Sequence, residues 1–423
     1  MAHLPRLAVA RSQNSVGAVD PMHIHPIISA LRHHALTVAL IVVEVALTCA
    51  VISNLLFIVV QRVEWSSMAT GVQDESLIWV RTNQLKPDID SSALQAADLQ
   101  ELRGIPGVKA AVLVNTLPIT PVGRQADISI EAGSTNHGIS SNLFLGTPGF
   151  MDAAGIKVAE GRPFNDGDYV DFRGADAPSP PTAIITRELA ERLWPGRSPL
   201  GQRLYLGPGA RTPSEVVGVV NHLLRSNVIS PSGSGNVVLL PATKFDGGFY
   251  LLRVDPPSKR QVLLAIPPTL DKVESNRLII KNEAYSDTVS EYFRGDRSLA
   301  ILLMVIVLVF MGVTAVGIVG LSSFWVQRRR RQIGVRRALG ARRVDIILYF
   351  LVENAAIVAT GAVIGMVLAV LASNWLMTHY EVPRLPFTWV IAGGLLLLAV
   401  GQISVIGPAL RAARVSPQEA TRS

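Results

Sequence analysis

Four long apolar runs constrain the fold of this chain more than any other feature of its sequence. The first, Ala35 to Val60, has 26 residues and is interrupted only by Glu44. At about 1.5 Å per helical residue it exceeds the ~30 Å hydrocarbon core of a bilayer. No small-residue cleavage pattern follows it, so we interpret it as a signal anchor. The runs predict transmembrane helices at 35–62, 298–326, 346–377 and 387–410.

The composition and the distribution of charge agree with a membrane protein. The chain is 49% hydrophobic and 17% charged, whereas soluble domains carry about 25% charged residues. The segment from Glu64 to Arg297 has 23 basic and 26 acidic residues, a net charge of −3. Eight arginines and no acid lie between Arg328 and Arg343, which we call the arginine segment. Basic charge confined to the end of a membrane helix marks topology, so no nucleic-acid partner is expected.

The arginines also set the expected orientation. Loops rich in Lys and Arg face the cytoplasm, so residues 327–345 are predicted to be a cytoplasmic loop. The N-terminal residues 1–34 and the tail 411–423 then lie in the cytoplasm as well, and residues 63–297 lie outside. We expect a multi-pass protein of the bacterial inner (cytoplasmic) membrane with a periplasmic domain. Residues 26–34 have the pattern of an amphipathic segment on the inner bilayer surface.

The predicted periplasmic domain contains two strand–helix–strand units. The units are strand 76–81, helix 91–103 and strand 108–115, then strand 249–254, helix 258–272 and strand 277–281. Two such units indicate a ferredoxin-like arrangement. The stretch 120–243 is richer in Gly and Pro and predicts an inserted mixed subdomain, and 284–297 is predicted to extend the second span. The fold class is a membrane protein with four transmembrane α-helices and a large α+β domain between helices one and two.

No constellation in the sequence indicates an enzyme. The chain has no G-x-S-x-G, H-E-x-x-H or P-loop G-x-x-x-x-G-K-[ST] motif. Four histidines at 23–34 lack Cys or acidic ligands at metal-binding spacing; they are His23, His25, His33 and His34. Asp166 and Asp168 match only a fragment of a calcium loop. We therefore expect no catalytic residue, no metal site and no cofactor bound by this chain.

The most specific feature of the sequence is a series of short motifs that follow one another along the chain. Residues 332–343 read QIGVRRALGARR, 350–353 read FLVE, and 408–420 read PALRAARVSPQEA. In the predicted periplasmic domain, TPGF lies at 147–150, GRPF at 161–164, AERLWPG at 190–196, PLG at 199–201 and EVVGVV at 215–220. Together these motifs resemble the MacB/FtsX family of ABC-transporter permeases. The likeness extends over nearly the whole chain from Ala35.

The resemblance implies a function and a set of partners. The chain would be a permease subunit that works by mechanotransmission, coupling ATP hydrolysis to a conformational change in the periplasm. Because the sequence has no P-loop, ATP and Mg would bind to a separate cytoplasmic ABC ATPase subunit. A second permease protomer would complete a homo- or heterodimer in the lipid bilayer. A periplasmic adaptor protein and an outer-membrane channel would complete a pump that exports peptides, antibiotics or other amphiphiles.

Two other functions remain open at this point. Within the same family, the permease would extract lipoproteins or regulate a cell-wall hydrolase. In a different class, the chain would be a membrane sensor whose outer domain binds a ligand and whose arginine segment signals inward. The sensor would need a cytoplasmic output domain, and neither terminal segment is long enough to be one. The substrate, the composition of the dimer and the adaptor are not encoded in any motif that we recognise.

The candidate site residues belong to the arginine segment. The resemblance implies that it couples the permease to the ATPase through Gly334, Arg336, Arg337, Ala338, Leu339, Gly340, Ala341, Arg342 and Arg343. Arginines at these positions offer bidentate contacts to acidic groups. Gly334 and Gly340 are expected to permit a sharp turn and a close approach. The alternative is that the arginines only set topology, which we expect of residues 328–331.

The spans carry a few further candidates. Glu44 and Glu353 are ionisable groups within apolar runs, and such groups are functional candidates by default. We expect hydrogen bonds at helix interfaces, either to backbone or to polar neighbours such as Asn354 and Thr48, in preference to a proton or substrate path. Gly361 and Gly365 form a small-xxx-small face suited to helix packing. Cys49, the only cysteine, is expected to be a small buried residue at such an interface.

Overall fold

The chain forms two compact units. The computed structural model describes residues 35–85, 91–120, 123–135, 138–173, 178–228, 233–245, 247–380 and 384–414. One unit, the membrane unit, comprises residues up to Arg62 and from Ser298; the other, the core domain, is Val63–Arg297. The amphipathic segment predicted at 26–34, the four histidines at 23–34 and the chain beyond Arg414 lie outside the described residues.

The described residues contain ten α-helices and twelve β-strands. The helices are α1 Ala35–Ser66, α2 Ser91–Arg103, α3 Phe150–Ala154, α4 Arg187–Leu193, α5 Lys259–Val273, α6 Tyr285–Tyr292, α7 Arg294–Arg328, α8 Arg330–Ala338, α9 Arg343–Tyr380 and α10 Phe387–Ala413. The strands are β1 Leu77–Gln84, β2 Val108–Val114, β3 Arg124–Ser129, β4 Ile139–Gly146, β5 Val158–Gly161, β6 Val170–Phe172, β7 Thr182–Thr186, β8 Arg203–Leu206, β9 Ser214–Val220, β10 Val237–Phe245, β11 Phe249–Val254 and β12 Arg277–Ala284.

Four of the helices are long and apolar enough to cross a bilayer. They are α1, α7, α9 and α10, with mean hydropathies of 2.3, 3.0, 2.5 and 2.2 over their most apolar windows. Each extends a few residues beyond its predicted run, because helical hydrogen bonding continues into the polar flanks. The protein is a multi-pass membrane protein, and the predicted fold class of four membrane helices with a large α+β domain is confirmed.

Apolar side chains from all four helices meet in the interior of the membrane unit. Buried residues of α1 and α7 pack with Val358 of α9 and Leu397 of α10. Cys49 lies in this cluster, fully buried, and its Sγ donates to the carbonyl of Ala362 at 3.7 Å. The expectation for Cys49 of a small buried residue at a helix interface agrees with this position. Asn354 Nδ2 of α9 donates to the Gly401 carbonyl of α10 at 2.9 Å, and this hydrogen bond holds the two helices close together.

The core domain begins and ends with the predicted ferredoxin-like halves. Strands β12, β1, β11 and β2 are adjacent in that order and antiparallel. Helices α2 and α5 connect the strands of each half, and both contribute to the same hydrophobic cluster. This interleaved order is the one in which two strand–helix–strand units share a single sheet.

The stretch predicted as an inserted subdomain continues this sheet. The full strand order is β12-β1-β11-β2-β4-β3-β8-β9-β7-β10-β6, with β5 on β9. The junction between β2 and β4 is a single pairing of Val114 with Gly146. A Cβ on Gly146 would lie 2.2 Å from the ring of Phe150, so only glycine lets β4 pass beneath α3. Beyond the junction, β4 and β10 are parallel, as are β7 and β9.

Both faces of the central sheet are buried, and the β1 side chains show why. Ile78 and Val80 enter one hydrophobic cluster, while Leu77 and Trp79 enter the other, on the opposite face. Successive side chains in a strand point to opposite faces, so an uninterrupted apolar run produces a strand covered on both sides. The Trp79 ring packs edge-on against Phe249 with centroids 5.0 Å apart.

The segment 284–297, predicted to extend the second span, is helical with one interruption. Helix α6 ends at Tyr292 and α7 begins at Arg294, with Phe293 outside both helices. The Phe293 ring is 2% exposed and packs with Ile119, Leu224 and Val228. The helical extension expected over 284–297 forms as α6 and the first residues of α7. It is interrupted at Phe293, because burial of that ring in the core domain overrides a local pattern without breakers.

Candidate functional site

Helix α8 gives the arginine segment a regular structure that the sequence did not predict. Gly334 lies inside this helix and is buried, so the expected sharp turn at Gly334 was wrong. The turn occurs at Gly340, whose φ of 100° is in the left-handed region that glycine adopts without strain. There the Gly340 N–H donates to the Arg337 carbonyl and the Ala341 N–H donates to the Arg336 carbonyl, which closes the helix.

An exposed apolar side chain stands at the end of α8. Leu339 is 83% exposed and Val335, one turn earlier, is 48% exposed. Four arginines surround them in sequence; Arg336, Arg342 and Arg343 are exposed and Arg337 is half-buried. Ala338 is exposed and Ala341 half-buried. The tip of α8 therefore combines an exposed apolar side chain with positive charge.

The other face of α8 is anchored in the membrane unit. Ile333 is 6% exposed and belongs to a cluster with Ile346 and Phe350 of α9 and Ala409 and Ala412 of α10. At the start of α9, the Arg342 N–H donates to the Asp345 carboxylate at 2.8 Å. These contacts fix α8 and its exposed tip relative to two of the membrane helices.

A buried ion pair lies beside this anchor. Arg329 Nη1 lies 2.9 Å from both carboxylate oxygens of Glu353, and the two side chains are 15% and 2% exposed. The same Nη1 also donates to the Tyr349 hydroxyl at 3.3 Å. The Arg336 guanidinium of α8 stacks over the Tyr349 ring, 5.1 Å from its centroid. A continuous set of contacts thus joins Glu353 in α9 to α8.

This arrangement differs from what the sequence indicated for these side chains. Asn354, expected near Glu353 as a partner, instead donates to Gly401. Arg329 was expected only to mark topology, yet it is the residue that neutralises Glu353. No short-range pattern links two residues 24 apart; the only signal was the presence of an unpaired acid in one apolar run next to a group of arginines.

The remaining predicted residues lie elsewhere in the membrane unit. Glu44 of α1 faces α7 at Gly317, where an added Cβ would lie 2.8 Å from the carboxylate. One turn on, the Thr48 hydroxyl bonds with the Thr314 hydroxyl at 3.0 Å. The structure does not bring Glu44 together with Glu353 or with the tip of α8 in any of the contacts described.

The two glycines of the small-xxx-small face lie against α1. A Cβ on Gly361 would be 2.8 Å from Val45 Cβ, and one on Gly365 would be 2.5 Å from Cys49 Cβ. Real Cβ atoms do not approach that closely, so both positions need glycine for α1 and α9 to pack at this distance.

The site has the chemistry of binding and mechanical linkage. Within the described ranges, no group of three or more His, Cys, Asp or Glu side chains is placed to hold a metal ion. Asp168, weighed above as part of a calcium loop, forms an ion pair with Arg162 at 2.6 Å. The arginine segment forms a helix with an exposed tip. The opposite face of this helix packs against α9 and α10, and the Arg329–Glu353 pair lies beside it.

Comparison with known proteins identifies the two parts of the chain. The family model of the MacB-like periplasmic core domain matches residues 35–272, more than half of the chain. The model of the FtsX-like permease C-terminal domain matches residues 304–417. The matched domains follow each other in the order expected from the sequence motifs.

Individual relatives agree at low identity. The uncharacterized ABC transporter permease YknZ of Bacillus subtilis is 24% identical, over 77% of this chain and 78% of its own length. The macrolide export ATP-binding/permease protein MacB of Agrobacterium fabrum is 25% identical, over 81% of this chain and 51% of its own length. The pyoverdine export ATP-binding/permease protein PvdT of Pseudomonas syringae pv. tomato is 24% identical, over 82% of this chain and 51% of its own length.

The chain thus spans about half the length of the two export proteins and most of the length of YknZ. Both matched domains are permease-type domains, and the resemblance drawn from the motifs is confirmed. The chain belongs to the MacB-like family of ABC transporter permeases.

Proposed function

We propose that this chain is the permease subunit of an ABC exporter and that the tip of α8 receives force from a separate cytoplasmic ATPase. One observation carries the proposal: Leu339 is 83% exposed on a helix whose opposite face is packed against two membrane helices. An apolar knob costs free energy in water, and the cost disappears when the knob enters a pocket on a partner. The flanking arginines orient it toward acidic groups.

The anchored ion pair supplies the mechanical link. Rigid-body displacement of α8 by the ATPase displaces Arg336, the Tyr349 ring and the Arg329–Glu353 pair together, because each is in contact with the next. Arg329 follows the last residue of α7 and Glu353 lies in α9, so motion at the tip reaches both spans. In this mechanism of mechanotransmission, α1 and α7 carry the motion to the core domain, and no substrate passes between the spans.

The relatives indicate what such motion would serve. MacB is named for macrolide export and PvdT for pyoverdine export. By analogy, this permease drives efflux of an antibiotic, peptide or other amphiphile from the periplasm. It acts as a homo- or heterodimer in the inner membrane with cytoplasmic termini, and it docks a periplasmic adaptor that leads to an outer-membrane channel. Hydrolysis of ATP with Mg takes place in the ATPase subunit.

The test is co-purification in detergent with any ABC ATPase that a neighbouring gene encodes. Wild type is compared with Leu339→Asp and with Arg336→Glu/Arg337→Glu, and Leu278→Asp is the matched control. Leu278 is also an exposed leucine, at 55%, and it lies on the core domain. We expect the ATPase to be lost from both tip variants and retained by the control. Retention by both tip variants, or no ATPase with wild type, would refute the proposal and favour a sensor that signals without an ATPase.

A further inference from the structure

A pocket in the core domain lies along an edge of β2 that the sheet leaves open. Strand β2 pairs with β11 on one side, but on the other side it pairs with β4 only at Val114. On that second side, the first residues of β2 therefore have no neighbouring strand. The cavity beside them measures about 440 Å³. It is lined by Arg103, Lys109, Ala110, Ala111, Val112, Pro148, Gly149, Asp152, Ala153 and Arg253.

The lining carries three cationic side chains and one acid. Two of the cations, Arg103 and Arg253, have no carboxylate within ion-pair distance among the described residues. Lys109 forms a 2.5 Å ion pair with Asp255, and both partners stay about half exposed. By contrast, many arginines of the core domain are balanced, as in the ion pairs of Arg162, Arg173 and Arg187. The two arginines thus bring to the pocket positive charge that no carboxylate among the described residues pairs with.

Both arginines are held in place by backbone carbonyls. Arg103 donates through Nε and Nη2 to the Ala111 carbonyl at 3.0 and 2.9 Å. Arg253 donates through Nε to the Ala153 carbonyl at 2.9 Å, and its Nη2 is buried without a hydrogen-bond partner among the described residues. A carbonyl orients a guanidinium but supplies no counter-charge. The remaining N–H groups are therefore fixed in position before a ligand arrives, which reduces the entropy lost on binding.

The strand edge adds a neutral donor. In a β-strand the N–H and C=O of one residue point to the same side, so the Ala111 N–H points toward the pocket with the carbonyl that Arg103 holds. A Cβ on Gly149 would meet no atom within 4 Å, so the space beside it is open. The walls otherwise consist of small apolar side chains, which leave room for a compact group.

We propose that this pocket is a binding site for a compact oxyanion, a phosphate or carboxylate group, held by Arg103, Arg253 and Lys109. Planar guanidinium groups match the geometry of such oxyanions, and Arg103, Arg253 and Lys109 all line the pocket. Asp152 is the acid in the lining and opposes the ligand. The site does not depend on the ATPase or on transport, so it stands whether or not the proposed function is correct.

The experiment is titration of inorganic phosphate onto the full-length chain in dodecyl maltoside, which contains no phosphorus, followed by 31P line broadening. We expect saturable broadening for wild type. Affinity should fall at least about tenfold in Arg103→Gln and in Arg253→Gln, since a hydrogen bond to a charged group contributes roughly one decade or more. Arg203→Gln/Arg211→Gln removes two exposed charges elsewhere in the core domain and should leave the affinity unchanged.

Asp152→Asn provides a second, opposite test, because a gain in affinity does not result from misfolding. Removing this negative charge should tighten phosphate binding several-fold. Unsaturable broadening for wild type, or equal affinities across the arginine and Asp152 variants, would overturn the site. Competition then distinguishes two sources of the group. Displacement by glycerol 3-phosphate alone supports a soluble ligand, and displacement by phosphatidylglycerol mixed into the micelles supports a lipid headgroup.

Discussion

Arg329 Nη1 lies 2.9 Å from both carboxylate oxygens of Glu353, although the two residues are 24 apart in the sequence. Removing one partner of such a buried pair leaves an uncompensated charge, whereas replacing both with apolar groups removes the problem. The pair joins the C-terminal end of α7 to α9 directly beside α8. It is therefore the place at which a single substitution should affect the anchor of the exposed tip most strongly.

The first prediction concerns this pair. Glu353→Leu and Arg329→Met should each destabilise the protein by roughly 3–5 kcal/mol, while the double variant should lie much closer to wild type. The measurement is thermal unfolding of the four proteins in detergent, analysed as a double-mutant cycle. Arg328→Met is the matched control, because Arg328 is exposed and its contact within the described part of the chain is with the Phe324 ring. Additive losses in the double variant would show that the two charges act independently.

The second prediction concerns the contact between α1 and α9. A methyl group added at Gly365 would lie 2.5 Å from Cys49 Cβ and 2.6 Å from the Ala46 carbonyl, so the helices must separate. Gly365→Ala should lower stability by about 1–3 kcal/mol, the usual cost of overpacking. Gly320→Ala is the control, because no atom lies within 4 Å of the added methyl there. Equal melting temperatures for the two variants in detergent would mean that α1 and α9 do not pack this closely.

The membrane helices and the ends of the core domain were predictable from the sequence because each rests on local signals. Long apolar runs specify spans, and strand–helix–strand patterns at 76–115 and 249–281 specify the two halves. The continuation of the sheet was not predictable. It depends on β10 pairing with β4 in parallel, about ninety residues away, and on a one-residue junction at Gly146. Contacts between residues this far apart in the chain leave no periodic pattern in a single sequence.

The candidate site shows the same division. The exposed tip followed from motif and charge, and Gly340 was identified correctly as the turn because only glycine readily adopts φ of 100°. Gly334 was assigned to a turn because the sequence around a glycine in a short helix does not differ from the sequence around a glycine in a turn. The role of Arg329 was missed because eight arginines in one segment look alike until the fold brings one of them to Glu353.

The third prediction concerns a buried charge cluster in the core domain. Asp98 and Arg277 are fully buried and 2.6 Å apart, and the Tyr250 hydroxyl donates to the same carboxylate. Asp98→Asn leaves the Arg277 charge without a counter-ion and should cost roughly 3–5 kcal/mol. Tyr250→Phe removes only one hydrogen bond to a charged group and should cost about 1.5–3 kcal/mol.

The order of these two losses is what distinguishes charge compensation from simple packing. Unfolding of the full-length variants is followed by near-UV circular dichroism, and Asp271→Asn, an exposed acid on α5, serves as the control. A larger loss for Tyr250→Phe than for Asp98→Asn would indicate that the cluster is held by packing of the tyrosine ring and not by the ion pair.

The fourth prediction is a dependence of core-domain stability on pH. A hydrogen bond from Arg162, opposed by burial and supported by the Asn165 N–H, lowers the pKa of Asp168 below its usual value. A carboxyl with a depressed pKa in the folded state stabilises the fold above its unfolded pKa of about 3.9, and this contribution is lost as pH falls through the folded pKa. Wild type and Asp168→Asn should therefore differ most near neutral pH and converge in acid.

Thermal unfolding of both proteins between pH 7 and pH 2 measures this convergence directly. Asp166→Asn is the matched control, since Asp166 lies in the same short turn but is exposed; its curve should follow that of wild type throughout. A gap between wild type and Asp168→Asn that stays constant down to pH 2 would show that the loss comes from the changed shape of the side chain. A gap that closes only below the usual carboxyl range places the effect in the Arg162–Asp168 pair.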